Sequence, residues 1–527
     1  MQRRQFLVGT AAAAGALAMP HVGRAAGSSV LKFVPQADLA TLDPVWTTSY
    51  QTRDHGFMVY DTLFGMDNDY NLKPQMLEGA VTGNDDKLWT MKLRDGLKFH
   101  DGEPVLARDC VASILRWSKR DSYGQAIAAA MDEISAPDDK TIVIKLKYAF
   151  PLLPMGLGKT SPSICVIMPE RLAKTDAFTQ VKEVVGSGPF KFKASERVPG
   201  SLVVWEKNQD YVPRDGEANG TTGGKVVHFD RIEWHIIPDS STMSAALQQG
   251  EIDWVDVPSN DLVPLLAKSK GVSTRVNVPT GTIATMRFNQ LLPPFDNAAM
   301  RRAIIGAVNQ AEYMTAVMGD DRSGWRDKVG YFAPNTPMAN DAGMEALTSP
   351  RNLDKVKKEL EAAGYKGERV VLLDPQDIDS VKALAAVTND MLKKIGVNVD
   401  AQAMDWATLV QRRASKAPLD KGGWSIFQTS WAGIDHANPV GNVFLRGNGD
   451  QAQVGWPTAP KLESLRDQWI KAPNLAEQKR LAREIQLQAF QDVPYIPLGQ
   501  VLAKTAYRSD LTGMLYGSPL FWNIKRG

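Results

Sequence analysis

The stretch that decides the fold is LWTMKLRDGLKFHDGEPVLARDCVASILRW, Leu88 to Trp117. Trp89, Met91 and Leu93 alternate with Thr90, Lys92 and Arg94, the two-residue period of a half-buried strand. Asp95-Gly96 and Asp101-Gly102 are turn dipeptides, since glycine accepts positive φ and aspartate bonds its own backbone. From Ala107 onward, Cys110, Val111, Ile114, Leu115 and Trp117 follow the 3.6-residue period of an amphipathic helix. Strand, two tight turns and helix in one run mark a mixed α/β chain.

Beyond its periods, the wording of this stretch resembles the block WTFxLRxGxKFHDGxPxxAxDVxxSxxR of the extracellular solute-binding proteins of family 5, the dipeptide/oligopeptide/nickel-binding components of ABC importers. Met91 replaces Phe and Cys110 replaces Val. The similarity continues through Thr41-Leu42-Asp43-Pro44 (the family's LDP segment), Tyr60 to Phe64 (its YDTLF helix), Gly186 to Phe190 (GTGPF), Gly250 to Asp253, and Phe288-Asn289 with Pro293 to Asp296 (FN…PPFxD). The resemblance implies an α/β, two-lobed periplasmic-binding-protein fold with an extra third domain. Mixed sheets would be flanked by helices, and two crossing strands would form the hinge. It places domain I at 27–62, 186–280 and 496–527, a small domain II at 63–185, and domain III at 281–495. It also implies a flytrap: a ligand held between lobes, the closed form being offered to membrane permease subunits.

The chain has 527 residues, enough for two to four domains, with 43% apolar and 23% charged side chains. Of its 61 basic residues, Arg3, Arg4 and Arg24 lie in an N-terminal stretch with no acid, so the remainder is near balance with the 59 acids. That balance gives no electrostatic reason to expect nucleic acid. Met1 to Ala26, with Arg3-Arg4 before a weakly hydrophobic Ala/Gly-rich run, reads as a twin-arginine-type signal peptide cleaved after Ala25 or Ala26. No cysteine stands near that point to carry a lipid. The exported chain is expected in the periplasm, as a monomer. Cys110 and Cys165 fall in apolar surroundings and read as buried small residues, with pairing left open.

Outward from the block, Val30 to Val34, Lys191 to Trp205 and Val226 to Ile237 read as strands, and Gly250 caps a helix from Met243. Asp296 can cap a helix through Ile304 and Val308. A helix ending at Gly364, a strand Arg369 to Leu373, a helix ending at Gly396 and a strand through Val397, Val399 and Ala401 form a strand–helix–strand unit, hence a parallel pair. Trp424, Ile426 and Gln428 begin another strand.

In open α/β sheets ligands sit beyond the carboxyl ends of strands. The strand from Trp424 delivers Ser430-Trp431-Ala432-Gly433-Ile434-Asp435-His436-Ala437-Asn438-Pro439 to such a place. This run is similar to the family loop W-x-G/A-D-x-x-D/E-P, whose tryptophan lines the cavity and whose aspartate holds a peptide's α-ammonium. Trp431 matches that tryptophan. Ile434 occupies the aspartate's position unless one residue is inserted, in which case Asp435 serves. The candidate ligand-binding residues are Trp431, Asp435, Asn438, Gln428 and Tyr50. Turn capping for Asp435, core packing for Trp431 and a structural role for Asn438 and Gln428 are the competing readings.

Gly158-Lys159-Thr160 lacks the first glycine of a phosphate loop, and His228 and His235 fall on opposite faces of an extended segment. No catalytic residue, metal site or cofactor is expected. The function expected is the substrate-binding component of an ABC importer, capturing a short peptide or related polar metabolite. An exported enzyme (a hydrolase or cofactor-dependent oxidoreductase) and a periplasmic chaperone or signalling protein on the same fold are the alternatives.

Overall fold

A computed structural model describes residues 29–83 and 86–527; the signal-peptide reading lies outside the described residues. Among them, three larger sheets and two short ribbons organise the chain.

The first sheet has seven strands, in the order Val272–Val276, Lys504–Arg508, Trp254–Val255, Val30–Val34, Arg231–His235, Leu202–Lys207 and Phe190–Phe192. Val30–Val34 lies parallel to both of its neighbours, and the rest pair antiparallel. Phe33, Trp205, Trp234, Trp254 and Phe521 pack ring against ring at its centre, with centroids 4.6–5.8 Å apart. Large rings at alternate strand positions cover one face in the spacing that edge-on aromatic contacts prefer.

The opening stretch builds the second sheet as its pattern predicts. Leu88–Leu93 pairs antiparallel with Leu77–Gly83 and with Thr141–Leu146, and Met131–Ser135 completes four strands. Trp89, Met91 and Leu93 are buried on one face. The helix Ala107–Trp117 buries Cys110, Ile114 and Trp117. Asp109, third in the helix, accepts the Leu106 backbone N–H at 2.8 Å, supplying an acceptor at an end where four donors would lack one. Arg116 of that helix reaches the LDP segment: its guanidinium donates to both Asp43 carboxylate oxygens, at 3.2 and 2.7 Å, with both side chains buried. Two motifs far apart in sequence are therefore the two halves of one buried bidentate ion pair.

The third sheet has six strands, in the order Trp325–Arg326, Ile496–Val501, Thr282–Phe288, Ile426–Ala432, Arg369–Pro375 and Asn398–Met404. The strand–helix–strand unit is present: Arg369–Pro375 and Asn398–Met404 are parallel, joined through helix Asp379–Lys394. Chain crossings between the first and third sheets fall at residues 277–281 and 502–503.

Several local expectations are corrected. The return to the first lobe does not start at residue 496, because Ile496–Val501 is a full member of the third sheet and the first-sheet strand begins at Lys504. Tyr60 to Phe64 is not a helix. Helix Tyr50–Val59 ends before it, and the Asp61 carboxylate accepts from the Thr62 N–H, from Lys225 and from the Tyr211 hydroxyl, bonds that hold the backbone extended. The segment 191–205 is broken between two strands by a turn at Ala194–Glu196, and the strand in 226–237 is confined to Arg231–His235. Asn297, not Asp296, caps helix Ala298–Ile305, its Oδ1 accepting the Ala299 N–H. Cys110 and Cys165 are both buried free thiols, and burial raises both above the usual thiol range.

Candidate functional site

The site turn begins where strand Ile426–Ala432 ends. This strand runs three residues further than Thr429, so Trp431 sits on its last turn of pleat rather than in a loop. A short 3₁₀ turn, Gly433–His436, follows and carries Asp435. The turn is pressed onto the crossing segment. The Gly433 N–H donates to the Gly281 carbonyl at 2.7 Å, and a Cβ on Gly433 would stand 1.9 Å from the Thr280 carbonyl oxygen. Only glycine permits that approach.

Tyr50, first residue of helix Tyr50–Val59, faces this turn from the other side. Its hydroxyl donates to Asp435 Oδ2 at 2.8 Å and accepts the Ala432 N–H at 2.8 Å. One phenol thus links helix Tyr50–Val59 to the end of strand Ile426–Ala432 and the turn after it. Asp435 is 5% exposed. Burial pushes its carboxyl up from an ordinary 3.8 to about 6, against the lowering effects of the Tyr50 hydrogen bond and of Arg53. Burial, then the Asp435 charge, raises the Tyr50 phenol well above its usual value.

Arg53 stands one helical turn on, its guanidinium 5.1 Å from the Tyr50 ring centroid and paired with Asp54 at 2.8 Å. Burial lifts Asp54 to about 6 despite Arg53. Asp256, at the carboxyl end of strand Trp254–Val255, is lifted to about 7 by burial and then by the Asp54 charge. Arg53 is thus the charge shared by Asp54, Asp256 and Asp435, while Lys159 and Asp121 act on Asp435 with opposite signs.

Asn438 is half-buried, and its Oδ1 accepts from the Tyr123 hydroxyl at 3.1 Å and from the Val440 and Gly441 N–H groups. It joins helix Ser122–Ala130, through Tyr123, to the segment that follows the Asp435 turn. Trp431 is half-buried, its ring 5.0 Å from that of Phe444. Gln428 is not brought to this place. Strand pleating sends residues 428 and 431 to opposite faces, and the Gln428 Nε2 donates to Thr388 Oγ1 at 3.0 Å under helix Asp379–Lys394.

Beside Asn438 a partly open cavity of about 130 Å³ runs between the second and third domains, lined by Tyr70, Met155, Lys159, Met338, Ile434 and Trp469 among others. A larger groove of about 460 Å³ lies on helix Ala107–Trp117 and residues 170–177, with Arg108, Lys119 and Lys174 in its lining. None of the residues lining it belongs to the Asp435 turn. Among the described residues, no cluster of three metal-ligating side chains occurs, and no helix is long and apolar enough to cross a membrane.

Arg53, Asp54, Asp256, Tyr123 and Trp469 were not legible as site residues. Adjacent Arg53 and Asp54 carry no periodic signal, and the rest reach the site only through long-range packing.

The family model of "Bacterial extracellular solute-binding proteins, family 5 Middle" matches residues 71–452. A Sinorhizobium fredii protein named "Probable peptide ABC transporter periplasmic-binding protein y4tO" is 36% identical over 542 residues, covering 100% of this chain and 99% of that one. Among solved structures, the PBP AgaA in complex with agropinic acid superposes with a TM-score of 0.77 at 21% identity, covering 94% of this chain and 99% of that one. A dipeptide binding protein from a Pseudoalteromonas species in complex with Met-Leu gives a TM-score of 0.75 at 19% identity, covering 94% and 100%. These two likenesses bear on fold, which they place among two-lobed periplasmic binding proteins.

Proposed function

The chain belongs to the family 5 bacterial extracellular solute-binding proteins, substrate-binding components of ABC importers rather than enzymes, and from that premise we propose that its ligand is a short peptide, or a related polar metabolite with a free ammonium group, anchored at Asp435. The observation that carries this reading is the buried Asp435 carboxylate, with Tyr50 as its hydrogen-bond partner among the described side chains. A carboxylate so buried is costly unless a cation meets it. An ammonium between the lobes would pair with it, and the charge-assisted bond is worth roughly 1.5–3 kcal/mol. The peptide named for the 36%-identical relative agrees with this reading.

Capture proceeds by differential affinity. Tyr50 and Asn438 hold the lobes together across the site, and a ligand touching both sides favours that arrangement over an open one. About 5.5 kcal/mol of such preference moves a 1:99 equilibrium to 99:1. The closed form is then offered to the permease. Export through a cleaved twin-arginine leader, with Cys110 and Cys165 as free thiols in the periplasm and the chain as a monomer, completes the proposal. So does the division into domains, with the last boundary moved to residue 502.

Native mass spectrometry on protein purified from the periplasm tests this. A series of peptide masses that disappears after denaturation and refolding supports the peptide reading. A single non-peptide mass overturns it. The mass of the same protein reports whether residues 1–26 have been removed.

A further inference from the structure

The first crossing between the sheets is fastened at both ends, and one fastening lies apart from the Asp435 turn. Strand Val272–Val276 of the first sheet leads into Asn277, which is 5% exposed. The Asn277 carbonyl accepts the Gly517 N–H at 2.8 Å, and its Nδ2 donates to the Gly517 carbonyl at 2.9 Å. Its Oδ1 accepts from Arg275 Nε and Nη2, at 3.0 and 2.7 Å. Arg275 in turn donates to the Met514 and Leu515 carbonyls, at 2.9 and 3.3 Å. Its guanidinium lies over the rings of Tyr507 and Tyr516, 5.7 and 4.5 Å from their centroids. All of these hydrogen-bond acceptors are neutral, so the arginine serves here as a fork that ties backbone together.

The loop that receives these bonds is held on the first sheet. It leaves the ribbon strand Leu511–Thr512 and returns through Lys525–Arg526. On the way Phe521 packs against Phe33, Trp234 and Trp254, with centroids 5.1–5.8 Å apart, and the Asn523 N–H donates to the Val226 carbonyl at 2.6 Å. Asn277 is therefore carried by the first sheet. The other end of the crossing is carried by the third. The Thr280 carbonyl accepts from Gln500 Nε2 at 2.7 Å, and the Gly281 carbonyl accepts the Gly433 N–H at 2.7 Å. Between the two fastenings stand only Val278 and Pro279. The proline ring fixes φ, so few dihedrals are left to absorb a rotation, and a hinge concentrates its φ/ψ change in just such a few residues.

We propose that Asn277 is a positioning residue for ligand capture: with Arg275 and the loop 514–517 it braces the near end of the hinge, and so sets the balance between open and closed protein from outside the ligand site. This rests on the reading of capture by closure, though not on the identity of the ligand. A strand end needs one partner for its last carbonyl. Asn277 instead bonds in both directions to Gly517, 240 residues further along the chain, and a second residue of the same strand is stacked and bonded onto the same loop. Without the brace, the dihedrals from Val276 onward would join the hinge. Open arrangements are many and the closed one is single, so that added freedom favours the open form. Affinity then falls in proportion to the closed-competent fraction.

The test is small-angle scattering of the ligand-free full exported chain, joined to calorimetric titration with trialanine, on wild type, Asn277→Ala and Tyr516→Ala. Asn277→Ala should enlarge the radius of gyration of the ligand-free protein and weaken trialanine binding about three- to tenfold, the size of one hydrogen bond. Tyr516 is 47% exposed, so Tyr516→Ala leaves no buried hole and decides the matter if Asn277→Ala fails to fold. By uncovering the Arg275 guanidinium it should shift both readouts in the same direction, with binding about two- to fivefold weaker. A lower thermal midpoint with scattering and affinity as in wild type is what bonds that merely finish a strand would give, and it overturns the brace. A smaller radius of gyration overturns it too. If trialanine fails to bind the wild type, the peptide reading falls, and scattering of the ligand-free variants alone decides the brace.

Discussion

Replacing Asp435 with Asn should have two effects of opposite sign. Asparagine keeps the shape and can still accept the Tyr50 hydroxyl bond of 2.8 Å, but it carries no charge. A ligand ammonium then loses a charge-assisted bond of roughly 1.5–3 kcal/mol, so affinity falls about 10- to 150-fold. Closure of the ligand-free protein should become easier. Burial raises the Asp435 carboxyl from 3.8 to about 6, a difference corresponding to about 3 kcal/mol spent on holding it ionised in the closed form. A group that binds its proton more tightly when buried favours the buried state as pH falls. Ligand-free wild-type protein should therefore close progressively between pH 6 and pH 4, whereas D435N should lose the Asp435 part of that response and keep only what the buried Asp54 and Asp256 carboxyls contribute. Small-angle scattering across that range reads closure. Titration with peptides bearing free or acetylated amino termini reads the anchor. Acetylation should cost the wild type at least tenfold and D435N less than twofold. Equal losses from acetylation in both proteins would refute the assignment and return attention to Ile434 as the family position.

The bidentate Arg116–Asp43 pair is 1% and 0% exposed at its side chains, so Asp43→Ala leaves a buried arginine unpaired and should cost about 3–5 kcal/mol in chemical denaturation; a loss under 1 kcal/mol would contradict the placement. Gly433→Ala puts a methyl 1.9 Å from the Thr280 carbonyl oxygen and should destabilise by about 1–3 kcal/mol, with ligand affinity falling as the Asp435 turn shifts. Tyr50→Phe removes both bonds of the bridging hydroxyl. It should weaken ligand binding about three- to tenfold and leave the thermal midpoint of the ligand-free protein nearly unchanged. Cys110 and Cys165 are 0% and 2% exposed, so a thiol reagent should titrate neither in native protein and both after denaturation; no free thiol after denaturation would mean that the exported protein forms a disulfide.

What could be read from sequence was local. The block from Leu88 to Trp117 gave strand, turns and helix because each has its own period, and the strand–helix–strand unit around Arg369 and Val399 was visible for the same reason. Asp435 and Asn438 were candidates because a loop motif marks a strand's carboxyl end, and Tyr50 because the resemblance puts the segment after LDP at the same cleft; Tyr50 and Asp435 do meet, through a 2.8 Å hydrogen bond. The errors have physical sources too. Gln428 lies three residues from Trp431 and thus on the opposite face, which an alternating pattern states once the strand is known to reach Ala432. The expected crossing at residue 496 failed because Ile496-Pro497-Leu498 reads equally well as a sheet strand or a connection. Asp43, Arg116, Trp469 and Tyr70 gave no local signal: their partners lie in other domains, and only the folded chain brings them together.

The site and the hinge share backbone, and this bears on how binding becomes transport. The crossing at residues 277–281 runs directly into strand Thr282–Phe288, which pairs with the strand leading to Asp435. The second crossing follows Val501, and the Gln500 side chain donates to the Thr280 carbonyl at 2.7 Å. Gly281, at φ 51°, lets the two crossings approach so closely that a Cβ there would stand 2.0 Å from the Val501 carbonyl oxygen. Gly433 rests on the same segment. The Asp435 turn, the proposed ligand anchor, is thus fastened to the crossing segment, while Tyr50 and Arg53 belong to helix Tyr50–Val59 on the other side. A ligand that pulls Tyr50 toward Asp435 acts close to the pivot, where a small displacement at the site is a large one at the lobe rims. Rim movement is what a permease can sense; one ammonium–carboxylate contact of roughly 1.5–3 kcal/mol supplies part of the about 5.5 kcal/mol that a full switch needs, and the rest must come from other contacts across the cleft.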